Sequence, residues 1–407
     1  MKHDAFLMKD LLIENESKII MLVLDGVGDI HTPESPRTSL ELASTPNLDA
    51  LARVSVLGRH MPISMGITPG SGPAHLALFG YNPTRKEYDA GRGVLESLGI
   101  DFDLLPSDVA IRGNFASRDA SGFLTDRRAG RIPTSECDRL CGMLQEKVGV
   151  LDGVEIIVRP VKDYRFALIL RGEGLSPLIC ETDPQKTGLK PVPPTALDPE
   201  ASKTEVLLQK LVETYNKILA DEPRANTVLL RGISRLPTLE SMWSRFGLRP
   251  AAIATYPLYR GVAKLVGMEL MPMVDTIEEE FRILQENFAG PHNFFFIHIK
   301  RTDSYGEDGN QKGKIEVIEE VDRYIPVLRD LNPAVLMVTG DHSTPHVMKS
   351  HSWHPVPFML HGPFCDLDGT EAFNETECDR GRLGIFPTVQ IMPLALASAG
   401  RLLKFGA

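Results

Sequence analysis

The chain has 407 residues, of which 43% are hydrophobic and 24% charged, and its formal net charge is −10 at pH 7. These values are ordinary for a globular protein with room for two or three domains. The acidic balance argues against a nucleic-acid partner, although a local arginine cluster can still bind an anionic substrate. No apolar run approaches the ~20 residues of a membrane helix, and the N-terminus lacks the apolar core of a signal peptide. No membrane partner is expected.

The cysteines do not suggest a metal or disulfide framework. The chain has five, without a C-x-x-C pair, and Cys137 and Cys141 have the i,i+4 spacing of a helix. This usage fits a reducing compartment, so a cytoplasmic location is predicted. Residues 1–17 form an N-terminal extension that either packs as a helix or stays mobile.

A carboxylate follows the first strongly apolar run. Residues 19–24 read Ile-Ile-Met-Leu-Val-Leu, as in a central strand covered on both faces. Asp25 comes next, where open α/β sheets place their ligands. The alternative is that Asp25 only forms a turn before Gly26.

Ser71 lies in a glycine-flanked segment, Pro69-Gly-Ser-Gly-Pro-Ala-His75, with a helical apolar pattern directly behind it. A serine at a helix N-terminus meets free backbone N–H groups and the positive end of the helix dipole, which favour an alkoxide and a phosphate. The alternative is that Ser71 merely caps the helix. The segment is neither a G-x-S-x-G elbow nor a P-loop.

Two more strands end in polar residues. The run at residues 294–299 precedes Lys300 and Asp303, and the run at residues 335–338 precedes Asp341 and His342. Because strands alternate with helices, a doubly wound, mostly parallel α/β sheet is expected, with Asp25, Asp303 and Asp341 on one edge.

Imidazoles accompany these carboxylates, since four of the eleven histidines lie between His342 and His354. The alternative to a site is a polar loop with solvated histidines. With His351, the set holds enough oxygen and nitrogen ligands for two divalent ions, which can bracket a phosphate. Ser71 is then the candidate nucleophile.

Residues 126–131 are a compact basic cluster in an otherwise acidic chain, Asp126-Arg127-Arg128-Ala-Gly-Arg131. Arginine side chains fit phosphate and carboxylate oxygens through paired N–H donors. The segment is either a binding loop for such groups or a solvated loop.

Together these motifs resemble the archaeal-type branch of cofactor-independent phosphoglycerate mutase, in the alkaline phosphatase superfamily. The similar stretches run nearly end to end and are Asp25-Gly, Ser44-Thr-Pro-Asn-Leu-Asp49, residues 69–80, Gly91-Arg-Gly-Val-Leu-Glu96, Arg112-Gly-Asn-Phe115, residues 126–131 and Thr339-Gly-Asp-His-Ser-Thr-Pro345.

The resemblance implies an alkaline-phosphatase-like core at residues 1–105 and 228–407, which binds metal, and a smaller inserted α/β (α+β) domain at residues 106–227, which binds substrate. It implies interconversion of 3-phosphoglycerate and 2-phosphoglycerate through phosphorylated Ser71, with Lys300 stabilising the phosphoryl group. The implied substrate-binding residues are Arg92, Arg112, Asp126, Arg127, Arg128, Arg131 and His75, with Arg260 and Lys264 as weaker candidates.

The resemblance also implies two divalent ions. One would be held by Asp25, Ser71, Asp341 and His342, and the other by Asp303, His351 and the residue aligned with Glu307. The family normally has histidine at that last position, within Thr-Asp-x-x-Gly-His, whereas this chain has Gly306-Glu307.

A carboxylate is a harder ligand than imidazole, so manganese is the favoured ion, with zinc, cobalt and magnesium as alternatives. We expect Gly306 to let the backbone turn so that Asp303 and Glu307 meet at one ion. His354 is a possible spare ligand.

Other functions remain open on the sequence. One alternative is a related phosphotransferase or phosphohydrolase with a different substrate, and another is a silent binding protein. The arginines at position 112 and in residues 126–131 favour the mutase.

Overall fold

Strands and helices alternate along the chain, and the computed structural model describes residues 4–406. In chain order, the N-terminal part contains α1 (Asp4–Leu11), β1 (Ile19–Leu24), α2 (Ser39–Leu42), α3 (Pro46–Ala52), β2 (Val56–Met61) and α4 (Ser71–Leu78). The middle part contains α5 (Arg92–Gly99), β3 (Val109–Arg118), β4 (Leu124–Asp126), α6 (Thr134–Lys147), β5 (Val150–Leu151), β6 (Val154–Lys162), β7 (Arg165–Arg171), α7 (Ser202–Ile218) and β8 (Thr227–Ser234).

The C-terminal part completes the fold. It contains α8 (Met242–Phe246), β9 (Pro250–Ala254), α9 (Pro257–Leu265), β10 (Glu269–Leu270), α10 (Ile277–Phe288), β11 (Phe294–Ile299), α11 (Arg301–Asp308), α12 (Gln311–Asp322), α13 (Ile325–Asp330), β12 (Val335–Thr339), β13 (Val356–His361), α14 (Glu375–Arg380), β14 (Ile385–Pro387) and α15 (Ile391–Ser398). None of the helices within residues 4–406 combines the length and apolarity needed to cross a membrane.

The chain divides into two units. The first runs to Tyr88 and resumes at Leu239, and the second is Asp89–Thr238. The boundaries predicted at residues 105/106 and 227/228 therefore do not coincide with those of the structure. The reason is packing, because β8 pairs with β3 and α5 lies so close to β3 that a Cβ at Gly93 would be 2.3 Å from the Ala110 carbonyl oxygen.

The first unit is built on an eight-stranded sheet in the order β10-β9-β11-β1-β12-β13-β2-β14. Its pairs are parallel except those that β13 makes with β12 and β2. Every residue of β1 is buried, as expected for a central strand. The prediction of a doubly wound, mostly parallel α/β sheet is confirmed.

The second unit contains a six-stranded sheet in the order β4-β3-β7-β6-β5, with β8 pairing β3. The pairs are antiparallel. Helices α6 and α7 bury Leu140, Leu144, Leu207 and Leu211 in the same core.

The segment before β1 packs against the C-terminal segment of the first unit. Leu12 and Leu402 form a β-bridge. The buried Arg401 guanidinium donates to the carbonyl oxygens of Asn15 at 2.6 Å and Ser17 at 2.7 Å. Of the two states expected for residues 1–17, the described part is thus packed and begins with α1.

Glu280, on α10, generates a prediction about stability. Burial raises the pKa of Glu280 to about 8, with the Arg301 guanidinium opposing and the Glu320 carboxylate adding to the rise. A carboxyl whose folded-state pKa lies above its unfolded value contributes stability below about pH 4.5, and this contribution is lost as the pH rises towards 8.

Glu280→Gln should therefore gain stability relative to the wild type as the pH rises from 5 to 8, by an amount on the order of a few kcal/mol. Denaturant unfolding at several pH values measures this, with the exposed Glu278→Gln as control. Parallel pH profiles for Glu280→Gln and the wild type would contradict it.

Candidate active site

The carboxyl ends of three neighbouring strands meet at one edge of the first unit's sheet. In register, Leu24 of β1 lies beside Ile299 of β11, and Val23 lies beside Thr339 of β12. The side chains just beyond these strands are therefore brought together, as the sequence predicted. They form two groups with ligand atoms within 4.8 Å of one another, Asp25–Asp341–His342 and Asp303–His342–His351.

Asp25 and Asp341 are connected through Gly26. The Gly26 N–H donates to Asp341 Oδ1 at 3.0 Å. The φ angle of Gly26 is +59°, and a Cβ there would lie 2.3 Å from Thr344 Oγ1. Only glycine fits this turn, which is how the sequence places Asp25 against the loop after β12.

His342 has its lone pair directed at the carboxylates. Thr344 Oγ1 donates to Asp303 Oδ1 at 2.7 Å, so it accepts from His342 Nδ1 at 3.1 Å. Nε2 is then unprotonated, and it lies 3.2 Å from Asp341 Oδ2 and 3.5 Å from Asp25 Oδ1. Burial lowers the pKa of His342 to about 3, so the ring is neutral and suited to metal ligation.

His351, in the second group, has the same tautomer as His342, with the proton on Nδ1. Its Nδ1 donates to the carbonyl oxygen of Pro69 at 3.1 Å, which leaves the Nε2 lone pair 3.5 Å from Asp303 Oδ1. The ring stacks on His342 with a centroid distance of 3.7 Å. The two groups thus share His342, on which His351 of the second group is stacked.

These carboxylates fit a divalent cation. Both oxygens of Asp25 and Oδ2 of Asp341 are buried without a partner in hydrogen-bonding geometry among residues 4–406. Burial raises the pKa of Asp341 well above its ordinary value, and the Asp25 and Asp303 carboxylates add to this rise. Oxygen ligands with imidazole are the donor set of divalent metals, and a cation would satisfy the unpaired oxygens.

Lys300 provides a positive charge within the cluster. Its Nζ lies 3.1 Å from Asp25 Oδ2 and also donates to Asp303. Burial alone would raise the pKa of Asp25, but the Lys300 ammonium and the rings of His298 and His342 lower it well below its ordinary value. Lys300 thus connects carboxylates of both groups.

Ser71 is the first residue of α4, and Gly70 is the N-cap residue. The Ser71 hydroxyl is therefore not the capping group that the alternative required. Its Oγ lies 3.5 Å from His342 Nε2. The hydroxyl faces the Asp25–Asp341–His342 group from a helix N-terminus, where backbone N–H groups favour an anion.

Glu307 lies one turn after Asp303 on α11. Its carboxylate is 3.8 Å from His351 Nε2, and its side chain is 54% exposed. The expectation that Gly306 turns the backbone sharply is wrong, because Gly306 is helical and the i,i+4 spacing brings Glu307 back. Gly306 is needed for closeness, since a Cβ there would lie 2.5 Å from the Thr344 carbonyl oxygen.

Two histidines do not lie where their predicted roles require, which were substrate binding for His75 and a spare ligand for His354. His75 is fully buried, and its Nδ1 lies 2.8 Å from the Ser71 carbonyl oxygen and 3.3 Å from Asp341 Oδ2. A direct substrate contact by His75 is therefore not what the structure supports, and the ring instead packs beneath the carboxylates. His354 Nδ1 pairs with Ser352 Oγ at 3.1 Å, and the residue is in neither ligand group.

The five main predicted substrate-binding arginines lie in the second unit, whereas the weaker candidates Arg260 and Lys264 lie on α9 of the first. Arg112 is buried with Nη1 3.3 Å from Glu96, and burial raises the pKa of Glu96, with Arg112, Arg165, Arg92 and Arg231 opposing the rise. Arg165 and Arg231 were not singled out from sequence, because only the β3–β7 and β3–β8 pairing brings them beside Arg112.

The loop after β4 is held by hydrogen bonds and an ion pair, unlike the solvated loop that was the alternative. Arg127 makes a paired contact with Asp183, at 2.8 and 2.7 Å. The Asp126 carboxylate accepts from the N–H groups of Arg128 and Gly130, at 2.7 and 2.8 Å. Asp126 thus shapes the turn that carries Arg128 and Arg131.

Sequence reasoning missed three side chains of the first unit. His298, on β11, has Nε2 3.4 Å from Asp25 Oδ2, and a lone histidine in an otherwise apolar strand was the available signal. Tyr259 Oη lies 3.5 Å from Ser71 Oγ. Lys314 is fully buried on α12. Nothing in the local sequence marked the last two.

The fold and the site define an α/β enzyme of the metal-dependent type, with a serine hydroxyl beside buried carboxylates and imidazoles. A family profile described as 2,3-bisphosphoglycerate-independent phosphoglycerate mutase matches residues 52–225. A relative named as a probable enzyme of this kind from Aquifex aeolicus is 47% identical over 98% of this chain and 99% of its own length. One from Thermus thermophilus is 48% identical over 98% of each chain.

Two solved structures are similar in fold and sequence. A protein from Pyrococcus horikoshii has a TM-score of 0.82 at 29% identity, over 97% of this chain and 100% of its own. A cofactor-independent phosphoglycerate mutase from Thermoplasma acidophilum has a TM-score of 0.71 at 29% identity, over 94% and 100%. The chain belongs to the 2,3-bisphosphoglycerate-independent phosphoglycerate mutase family.

Lys314 generates a prediction about the loops after β1 and β12, which carry Asp25 and Asp341. Its ammonium donates to the carbonyl oxygens of Gly26, Gly28 and Thr344, at 2.9, 3.2 and 3.0 Å. The Gly26 and Gly28 carbonyl oxygens also accept from the Thr344 N–H, so Lys314→Met should leave only the Thr344 carbonyl oxygen without its donor. The expected cost is about 1–3 kcal/mol for that buried acceptor, and the loss of all three bonds should loosen the turn that holds Asp25. We expect a lower Tm and weaker Mn²⁺ binding by calorimetry.

The control is Lys312→Met on the same helix, whose side chain is 87% exposed. It should match the wild type in both measurements. Unchanged Mn²⁺ affinity in a destabilised Lys314→Met protein would limit Lys314 to a folding role.

Proposed function

We propose that this chain interconverts 3-phosphoglycerate and 2-phosphoglycerate through a phosphoserine at Ser71, with two divalent ions and without 2,3-bisphosphoglycerate. The observation that carries the proposal is the position of Ser71 Oγ, at a helix N-terminus and 3.5 Å from His342 of a buried ligand group. Family membership supports the substrate and the reaction.

The ligand groups would hold the ions as follows. Asp25, Asp341 and His342 would hold one together with Ser71. Asp303 and His351 would hold the other, together with Glu307 from outside that group. Bound ions would neutralise phosphoryl charge and favour the serine alkoxide. Manganese is the proposed ion, because each group combines carboxylate oxygens with imidazole, while zinc, cobalt and magnesium are alternatives.

The chain's own residues account for the other requirements. Ser71 Oγ gives up its proton and forms a bond to phosphorus as the bond to the substrate oxygen breaks, and that oxygen takes up a proton to become a hydroxyl. In the second transfer the other hydroxyl of the retained glycerate gives up its proton and bonds to phosphorus as the bond to Ser71 Oγ breaks, and Oγ takes up a proton. The N-terminus of α4 and the Lys300 ammonium stabilise negative charge on the phosphoryl oxygens.

We propose that the first unit is the metal-binding, phosphatase-like core and that the second unit binds substrate. Its proposed anion-binding residues are Arg92, Arg112, Arg127, Arg128 and Arg131, with Asp126 shaping their loop. The buried Arg112 and its arginine neighbours support this role, since one Glu96 carboxylate faces them. A cytoplasmic location belongs to the proposal, because the five cysteines are free thiols.

The deciding assay is conversion of 3-phosphoglycerate to 2-phosphoglycerate without added bisphosphoglycerate, in metal-free protein and after addition of each ion. Turnover that requires manganese or another divalent ion is expected. Release of inorganic phosphate without 2-phosphoglycerate would indicate a phosphohydrolase instead, and full activity in metal-free protein would contradict the metal requirement.

Ser71→Ala should abolish turnover and leave the Tm unchanged, because the hydroxyl carries the phosphoryl group while Gly70 caps α4. Enzyme quenched during turnover of ³²P-labelled substrate should carry phosphate on Ser71 in the wild type and none in the variant. Ser241→Ala is the matched control, because the Ser241 hydroxyl caps α8 and its loss should cost about 1 kcal/mol without affecting turnover. Label on a histidine would refute the role of Ser71.

Glu307→Ala should weaken binding of the second ion, because it removes a carboxylate from beside His351, and Glu307→His should shift preference towards zinc. Calorimetric titration with Mn²⁺ and Zn²⁺ measures both effects. Asp308→Asn, on the same helix, is the control. If Glu307→Ala binds both ions as the wild type does, Glu307 is not a ligand.

A further inference from the structure

Tyr259 is a second polar side chain beside Ser71. Its Oη lies 3.5 Å from Ser71 Oγ, the same distance as His342 Nε2. These are the two side chains of the described residues within hydrogen-bonding distance of that oxygen. The separation is longer than the ~2.8 Å typical of an O–H···O bond, and hydrogen bonds at active sites often tighten when substrate binds.

The ring of Tyr259 is held in place. It is 1% exposed and stacks on His298, with a centroid distance of 3.9 Å and an interplanar angle of 29°. The His75 ring packs beside it at 4.8 Å. Because the ring has neighbours on these sides and α9 holds its backbone, the position of the hydroxyl oxygen is fixed before any substrate arrives.

The two neighbours of Ser71 Oγ have complementary roles. Nε2 of His342 carries no proton, since Nδ1 donates to Thr344, so His342 cannot donate to Ser71. A tyrosine hydroxyl can donate. Among the described residues, Tyr259 is therefore the side chain placed to give a hydrogen bond to Ser71 Oγ.

We propose that Tyr259 is a catalytic residue that donates a hydrogen bond to Ser71 Oγ and stabilises the negative charge on this oxygen in both transfers. The inference rests on the proposed role of Ser71. As the phosphorus–oxygen bond to Ser71 forms, Oγ reacts as an electron-rich oxygen. As this bond breaks, its electron pair returns to Oγ. The tyrosine proton stays on Oη throughout, so the step needs no proton from Tyr259.

The Asp25 carboxylate is a competing acceptor near the Tyr259 hydroxyl. A hydroxyl has one proton to donate. If Tyr259 donated to Asp25 instead, it would position a metal ligand, and its loss would weaken metal binding. If it donates to Ser71, its loss slows phosphoryl transfer while metal affinity is unchanged.

Tyr259→Phe tests this, because phenylalanine keeps the stack on His298 and removes only the hydroxyl. Rapid-quench experiments with ³²P-labelled 3-phosphoglycerate give the rates at which phosphorylated Ser71 forms and decays, and calorimetry gives the Kd for Mn²⁺. We expect both rates to fall roughly 10- to 100-fold. This decrease is no larger than the decrease in rate that follows removal of one oxyanion-hole hydrogen-bond donor. We expect kcat to fall, while KM, the Kd for Mn²⁺ and the Tm stay unchanged.

Tyr81→Phe is the matched control. Tyr81 is a buried tyrosine of the same unit whose hydroxyl donates to the Glu240 carbonyl oxygen at 2.6 Å, so its loss reports the general effect of removing a buried hydroxyl. It should leave the phosphorylation rates unchanged.

Wild-type rates in Tyr259→Phe would overturn the inference. So would weaker Mn²⁺ binding with rates restored at saturating Mn²⁺, because that result assigns the hydroxyl to Asp25. Failure of the proposed function is distinguishable, since wild-type protein would then carry no phosphate on Ser71.

Discussion

The burial of three carboxylates at one edge of a sheet is the constraint on which the first unit depends. Asp25, Asp303 and Asp341 are each no more than 1% exposed, and their repulsion contributes to the raised pKa of Asp341. Buried charges of one sign are strongly unfavourable unless opposite charge or hydrogen bonds compensate them. Lys300 provides part of this compensation, but Oδ1 of Asp25 and Oδ2 of Asp341 are buried without a hydrogen-bond partner among residues 4–406, so it is incomplete. The cluster is thus suited to cations.

Glycines allow the loops to approach closely enough for this cluster. A Cβ at Gly26 would meet Thr344 Oγ1 at 2.3 Å, one at Gly28 would meet Ser343 Oγ at 2.1 Å, and one at Gly306 would meet the Thr344 carbonyl oxygen at 2.5 Å. The loop after β1 and helix α11 therefore lie directly against the loop after β12. Lys314 donates to both of these loops from α12. The positions of the candidate ligands thus depend on these close backbone contacts as well as on the ligand side chains themselves.

The sequence predicted the members of the cluster better than its surroundings. A carboxylate directly after a buried strand can be recognised from the local sequence. Because β1, β11 and β12 pair in parallel, such residues lie at the same edge of the sheet, and Asp25, Asp303 and Asp341 could therefore be predicted. Tyr259 and Lys314 gave no local signal, because their roles depend on how α9 and α12 pack on the sheet.

The domain boundaries could not be predicted for a related reason. Whether β8 belongs with the strands before or after it is decided by its pairing with β3, more than 100 positions earlier. Residue type and short-range spacing carry no information about such a pairing.

The stacked histidines show how the two ligand groups depend on each other. Nδ1 of His342 is held by Thr344 and Nδ1 of His351 by the Pro69 carbonyl oxygen, so both rings present a lone pair to the carboxylates. Such second partners fix the tautomer and orientation of a metal-binding imidazole. His342 belongs to both groups, and Thr344, which fixes its tautomer, also donates to Asp303. A cation that drew Asp303 or His342 towards one group would therefore change the hydrogen bonds of the other, because the two groups share His342 and Thr344.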